Sequence, residues 1–249
     1  MRLRSVEVGN PWISAAPPLP PITPRVCSRI SWRYVYIYRR EAEDRRNTPK
    51  IIAYLLLTAN LGILLRMKHL TMAELEAALD HLRQAPKDDG VLQLIVRRPQ
   101  VDEREVLDEA QLDPVLGLIG DDWHVRGSRR TPDGSAHPEM QINVMNSRVT
   151  ALVAQDKDRW PLAGDQLYID MDLSKVNLPA GSRIAVGSAV LEVSSFPHTG
   201  CHKFVARFGL EAMKFVNSKV GLELCLRGIN AKVVQGGVVK VGHTARKIH

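Results

Sequence analysis

The chain has 249 residues, 45% of them apolar and 24% charged, with three cysteines and a formal net charge of +7. That length suffices for one large domain or two small ones with a real core. The wide spacing of Cys27, Cys201 and Cys225 rules out a disulfide framework or a C-x-x-C metal or redox pair and points to a reducing compartment such as the cytoplasm.

The charge is unevenly placed. Residues 1–66 hold 11 Lys and Arg against 4 Asp and Glu, whereas residues 67–249 hold 23 of each. A neutral body offers no electrostatic footprint for general nucleic-acid binding. The longest apolar run, residues 51–65, is fifteen long and contains Thr58, Asn60 and Gly62. A membrane span needs about 18 or more, so no firm membrane association is expected.

Residues 1–50 crowd five prolines between Pro17 and Pro24, a composition for extended, disordered chain. The shift in charge and proline content at Met67 marks residues 1–66 as an N-terminal extension and 67–249 as the working domain. It is also compatible with synthesis starting at Met67 or Met72.

From Met67 the pattern becomes regular. Thr71 and Glu74 fit a capping box, and Leu75, Ala78, Leu79 and Leu82 then mark one helical face. Residues 91–97 read as a strand, ended by Pro99. The acidic stretch 102–111 is helix-compatible. Residues 126–130 place Arg126, Arg129 and Arg130 in a polar loop, either solvated or an oxyanion clamp. Next to them, Trp123 and His124 can line a pocket mouth or pack beside that loop.

Residues 141–144 read as a buried strand, and Asn146 can cap a helix over 147–155. Residues 166–172 alternate as a half-buried strand does, and 183–186 with 189–195 form a hairpin. Two more strands flank Gly236 and Gly237. Six or seven short strands with few helices predict a mostly antiparallel β-barrel or sandwich with short helical inserts.

One stretch carries the chemistry. Residues 196–209 read F-P-H-T-G-C-H-K-F-V-A-R-F-G. They deliver Cys201 to the start of a short amphipathic helix, with His198 and His202 beside it and Lys203 and Arg207 further along. Helix dipole and cations at such a position favour anionic sulfur, the form that attacks sulfur or ligates metal. The plain alternative is a cysteine serving as a small hydrophobe. Phe204, Val205 and Phe208 form the expected buried face. His198, Cys201 and His202 could start a zinc site, but a structural site takes four ligands and no second cluster is offered. Cys225, in L-E-L-C-L-R, reads as core. Nucleophile elbows, P-loops and dinucleotide fingerprints are missing from the sequence.

Taken together, the motifs resemble those of the MOSC domain, the C-terminal module of molybdenum cofactor sulfurases, which also occurs alone. G-L-I-G-D-D-W-H (117–124) is similar to the family's G-L-x-G-D opening, and A-G-D-Q-L (163–167) to its G-E-N-L-like turn. The hairpin 178–193, Cys201 and the closing strands 228–242 follow in the family's order, so the resemblance spans about 115–243. Gly200 stands where members often carry proline, Asp165-Gln166 replaces an acidic-Asn pair, and His243 replaces a common aspartate.

The resemblance implies a MOSC-like β-barrel that binds molybdenum cofactor (molybdopterin), with Cys201 as metal ligand or as sulfur carrier. Arg126, Arg129, Arg130, Lys203, Arg207 and Arg227 are the cations available to its phosphate. Asn143, Asn146 and Asn230 are the amides available to its ring edges, and His198 and His202 can tune the thiol. The pyridoxal-phosphate domain of full-length sulfurases does not fit in this chain, so that cofactor is not expected. Three roles stay open: molybdenum-dependent oxidoreductase or cofactor carrier, persulfide sulfur transferase, and small-molecule-binding barrel. The partners implied are a small molecule and a redox protein.

Overall fold

The computed structural model describes residues 68–248. The expectations for residues 1–66, for Cys27 and for a start at Met67 lie outside the described residues.

Helix α1 (Met72–Ala77) opens with the expected capping box: Thr71 Oγ1 accepts from the Glu74 N–H, and the Glu74 carboxylate accepts from the Thr71 N–H at 2.7 Å. The helix does not run on unbroken. It breaks at Ala78 and resumes as α2 (Leu79–Arg83), with Leu75 and Leu82 buried.

Strand β1 (Gly90–Arg97) follows, then β2 (Glu105–Leu107) and β3 (Glu109–Asp113). The acidic stretch expected as helix is therefore two short strands. Ala110 and Leu112 are buried while Glu109 and Gln111 are exposed, the period of two that a strand requires. Acidic residues are compatible with a helix locally, but the pairing of β2 with β1 and of β3 with a strand near residue 240 decides the outcome.

Next come β4 (Gly117–Leu118), α3 (Trp123–Arg126), β5 (Ile142–Asn146), α4 (Ser147–Ala154) and β6 (Leu167–Asp170). Asn146 caps α4, its Oδ1 accepting from Arg148 N–H at 2.7 Å. The hairpin is β7 (Arg183–Val186) and β8 (Ala189–Val193). Three helices, α5 (His202–Phe208), α6 (Leu210–Val216) and α7 (Lys219–Glu223), precede β9 (Ile229–Gln235), β10 (Gly237–Lys240) and β11 (Thr244–Ile248).

Seven of these strands close into a barrel in the order β1, β6, β5, β9, β8, β7, β11 and back to β1. Pairing is antiparallel except between β5 and β6. β10, β3 and β4 form a separate small sheet. The protein is thus mostly β, a mixed barrel with short helical inserts, as the sequence predicts.

β1 explains much of the layout. Its first two residues pair with β11, its middle with β6 and its last three with β2. A register shift between Leu92 and Leu94 lets Leu92 and Ile95 point into the barrel while Leu94 and Val96 point out. Leu167, Ile169, Ile142, Val144, Ala231 and Val233 share the barrel interior. Outside it, Leu94, Met145 and Tyr168 pack with Val149, Phe204, Phe208 and Phe215 in a second core. Strands β5 and β6 are therefore buried on both faces. The alternation of residues 166–172 predicts a half-buried strand, but the outward Tyr168 is covered by the second core.

Candidate functional site

The outer face of β5 and β9 carries Asn143 and Asn230, cross-strand partners in the ladder. Around them open the end of β1, the turn before β6, α3 and the segment leading to Cys201. These enclose a cleft of about 260 Å³ whose lining includes Arg98, Asp102, Arg104, Arg126, Asn143, Gly164, His198, Cys201, Lys203, Phe204, Arg207 and Arg227.

Its floor is a buried polar relay. The Arg98 guanidinium donates from Nε and Nη2 to both oxygens of Asp121, at 2.8 and 2.7 Å, and from Nη1 to Asn143 Oδ1 and the Gly164 carbonyl, each at 3.0 Å. Asn143 Nδ2 donates to Asn230 Oδ1 at 2.6 Å, and Asn230 Nδ2 donates to the Phe196 carbonyl at 3.0 Å. The relay thus runs from the rim of β1 to the segment that holds the cysteine. Such chains fix geometry because each buried polar group must keep its partner.

A second buried pair stands beside it. Arg227 Nη1 donates to both oxygens of the fully buried Asp165, at 2.9 and 2.7 Å, and Nη2 to the Ala163 carbonyl at 3.0 Å. The guanidinium also lies 5.1 Å from the Phe204 ring centroid. Burial pushes the Asp165 carboxyl up, with Arg227 and Arg98 pulling the other way. His198 Nδ1 is 3.5 Å from Asp165 Oδ1 without a hydrogen bond. Burial first, then Arg227 and Arg98, holds its pKa well below the ordinary histidine value, so the imidazole is neutral at pH 7.

Cys201 is the exposed N-cap of α5, and its thiol is free. Gly200 before it is tied down by Asn217, which accepts from the Gly200 N–H at 2.8 Å and donates to its carbonyl at 3.0 Å. The glycine has a steric reason: a Cβ there would stand 3.1 Å from Val216 and 3.2 Å from Met213.

Other lining residues make the cleft cationic. Lys203 Nζ and Arg207 Nη2 both reach Asp102 Oδ1 at 3.0 Å, and Arg126 Nη1 pairs with Asp122 at 3.1 Å. Arg104 has no carboxylate within ion-pair distance among the described residues, and its buried Nε has no partner. Burial, then Arg207 and Arg98, presses its pKa down, though a guanidinium stays charged.

The structure gathers Cys201, His198, Lys203, Arg207, Arg227, Arg126 and Asn143 on one cleft. Five other sequence candidates stand outside its lining. Arg130 lies over the Phe196 ring at 4.7 Å, and Arg129 is exposed on the same loop. Asn146 serves as the α4 cap and donates to the Met171 carbonyl at 2.6 Å. His202 points to solvent, and Asn230 sits behind Asn143 as its hydrogen-bond partner. Trp123 is packed rather than at the mouth, with His124 exposed beside it. Cys225 packs half-buried against the barrel core, and burial raises its thiol pKa.

Two cleft residues carried no sequence signal as ligand contacts. Arg98 follows a strand and precedes Pro99, which reads as a strand end. Arg104 lies in the stretch expected to be helical. Only the ladder between β1 and β2 brings Arg104 beside α5.

Neither a protein-family model nor a curated protein sequence matches the chain. Among solved structures it is similar to a hypothetical protein at 20% identity, covering 64% of this chain and 69% of that one, with a TM-score of 0.44. It is similar to YuaD from Bacillus subtilis at 16% identity, over 64% of this chain and 95% of that one, with a TM-score of 0.45. It is similar to YiiM from Escherichia coli at 17% identity, over 64% and 70%, with a TM-score of 0.43. No helix among the described residues is long and apolar enough to cross a membrane.

Proposed function

We propose that the cleft binds a phosphorylated pterin carrying molybdenum, with the Cys201 sulfur as the protein's ligand to the metal, and that the chain uses this cofactor in redox chemistry or carries it. The observation behind this reading is the joint presence of a free, exposed thiol and an unbalanced cation wall on one cleft.

The residues fit such a group. Among the described residues no set of three His, Cys, Asp or Glu side chains could hold a metal. Among the described residues the cleft therefore offers one soft thiolate, Cys201, and a metal held here would bring its other ligands with it. Arg104 Nε, Arg227 Nε and His198 Nδ1 are buried without partners, donors and an acceptor suited to a polar ring and a phosphate. When bound, the cofactor supplies a metal centre that changes oxidation state. The chain's own part is to hold the anion with Lys203, Arg104 and Arg207, to shape the floor with Arg98 and Asn143, and to present sulfur from Cys201. The motif resemblance across residues 115–243 supports the same reading. On this reading the protein works in the cytoplasm on a small-molecule substrate, such as an N-hydroxylated compound, with a redox partner protein.

The test is elemental and pterin analysis of protein purified from cofactor-rich cells. Stoichiometric molybdenum is expected, falling at least about tenfold in Cys201→Ser while the far-ultraviolet dichroism stays unchanged. Protein free of molybdenum under those conditions overturns the reading. A mass gain of one sulfur atom on Cys201 instead would assign the persulfide role.

A further inference from the structure

At Lys203 and Arg207 the cation wall is answered by one exposed carboxylate. Asp102 sits in the turn between β1 and β2, 60% exposed, with a left-handed φ of +65°. Its Oδ1 alone takes both the Lys203 ammonium and the Arg207 guanidinium at 3.0 Å. Lys203 first, then Arg207 and Arg104 more weakly, hold the Asp102 carboxyl below the ordinary aspartate range.

The neighbouring geometry looks built for a larger anion. Gly164, at φ +88°, leaves open a point 3.4 Å from Arg104 Nη2 and 3.5 Å from Arg207 Nη1. Two guanidinium groups converge there, and a side chain would fill the space. Arg104 contributes a charge that forms no ion pair among the described residues. A single tethered carboxylate oxygen cannot serve three cations, whereas a phosphoryl group has three acceptor oxygens and up to two charges.

We propose that Asp102 is a tethered competitor for an anion seat formed by Arg104, Lys203 and Arg207, and that a phosphoryl group binds by displacing it. Exposed ion pairs are individually weak, so the carboxylate is readily exchanged. It holds Lys203 and Arg207 in place while the seat is empty and swings out when a phosphate arrives. The proposal rests on the cleft being an anion site, but not on molybdenum.

Calorimetric titration of the full chain with inorganic pyrophosphate at low ionic strength tests it. Asp102→Asn is the informative variant, because asparagine tolerates the left-handed backbone and only the charge is lost. Affinity should rise about three- to tenfold, the range that two exposed ion pairs allow. Arg104→Gln should weaken it by at least about fivefold. Unchanged or weaker binding in Asp102→Asn overturns the proposal, as does unchanged binding in Arg104→Gln. If Arg104→Gln protein also purifies with less pterin, the cofactor's phosphate is the displacing group. If pterin is retained while pyrophosphate affinity falls, a phosphorylated substrate is. Protein that binds pyrophosphate as expected yet never carries molybdenum would leave the seat standing and remove the metal reading.

Discussion

Asp165→Asn probes how the cleft is held together. The substitution keeps the shape of the side chain and removes one charge from a fully buried pair. Arg227, 8% exposed, is left with neutral partners: the new amide oxygen, the Ala163 carbonyl, the Met145 sulfur and the Phe204 ring. Removing one member of such a pair costs about 3–5 kcal/mol, mostly because the survivor is buried without compensation. For a domain of this size each kcal/mol moves the melting temperature by about 2–4 °C, so a fall of roughly 6–20 °C is expected. Urea unfolding followed by tryptophan fluorescence would give the free energy directly. The double variant Asp165→Asn with Arg227→Met should be more stable than Asp165→Asn alone, since it removes the stranded charge. A loss below about 1 kcal/mol in the single variant, the range of an exposed pair, would refute the argument. So would a double variant no better than the sum of its parts.

Three further outcomes follow from the same geometry. His198 binds a proton less readily folded than unfolded, so its contribution destabilises the fold as pH drops below its unfolded pKa of about 6.5. Stability measured between pH 7 and pH 5 should therefore fall less steeply in His198→Gln, by up to about 1.4 kcal/mol per pH unit. An identical slope in both proteins would mean that the buried imidazole is not held neutral. Gly164→Ala should cost roughly 1–2 kcal/mol, because its φ of +88° is unfavourable for a side chain. It should also weaken pyrophosphate binding by putting a methyl group at the point where Arg104 and Arg207 converge, and full affinity would sink that part. Cys201→Ser should lose molybdenum without losing fold, as metal analysis would report.

Much of the scaffold was legible because its signals are local. The Thr71 and Glu74 cap, the Asn146 cap and the β7–β8 hairpin each depend on residues a few positions apart. The cleft was legible near Cys201 from the motif itself, at Arg126 from a loop reading left open, and at Asn143 and Arg227 only through the family resemblance. His198, Lys203 and Arg207 are neighbours of the thiol, so the motif exposed them. Arg98 and Arg104 lie about a hundred residues upstream, and strand pairing alone brings them to the same cleft. The misreading of residues 102–111 has the same origin. Acidic composition suits a helix, but Ala110 and Leu112 are claimed by the small sheet through β10, more than 120 residues away. Arg129 and Arg130 show the converse. Their clustering left a solvated loop and a clamp both open; Arg129 is exposed, Arg130 stacks on Phe196, and only Arg126, on α3, lines the cleft.

The relay beneath the cleft also bears on how this protein can change over generations. Arg98 can only donate and the Phe196 carbonyl can only accept, so the two ends dictate which way Asn143 and Asn230 must face. Replacing either amide by aspartate would set two acceptors against each other, and a hydrophobic residue would strand its neighbour. Neither kind of single substitution keeps every partner in the relay. Lineages should therefore keep Arg98, Asn143 and Asn230 together or exchange them together, even though only two of the three touch the cleft.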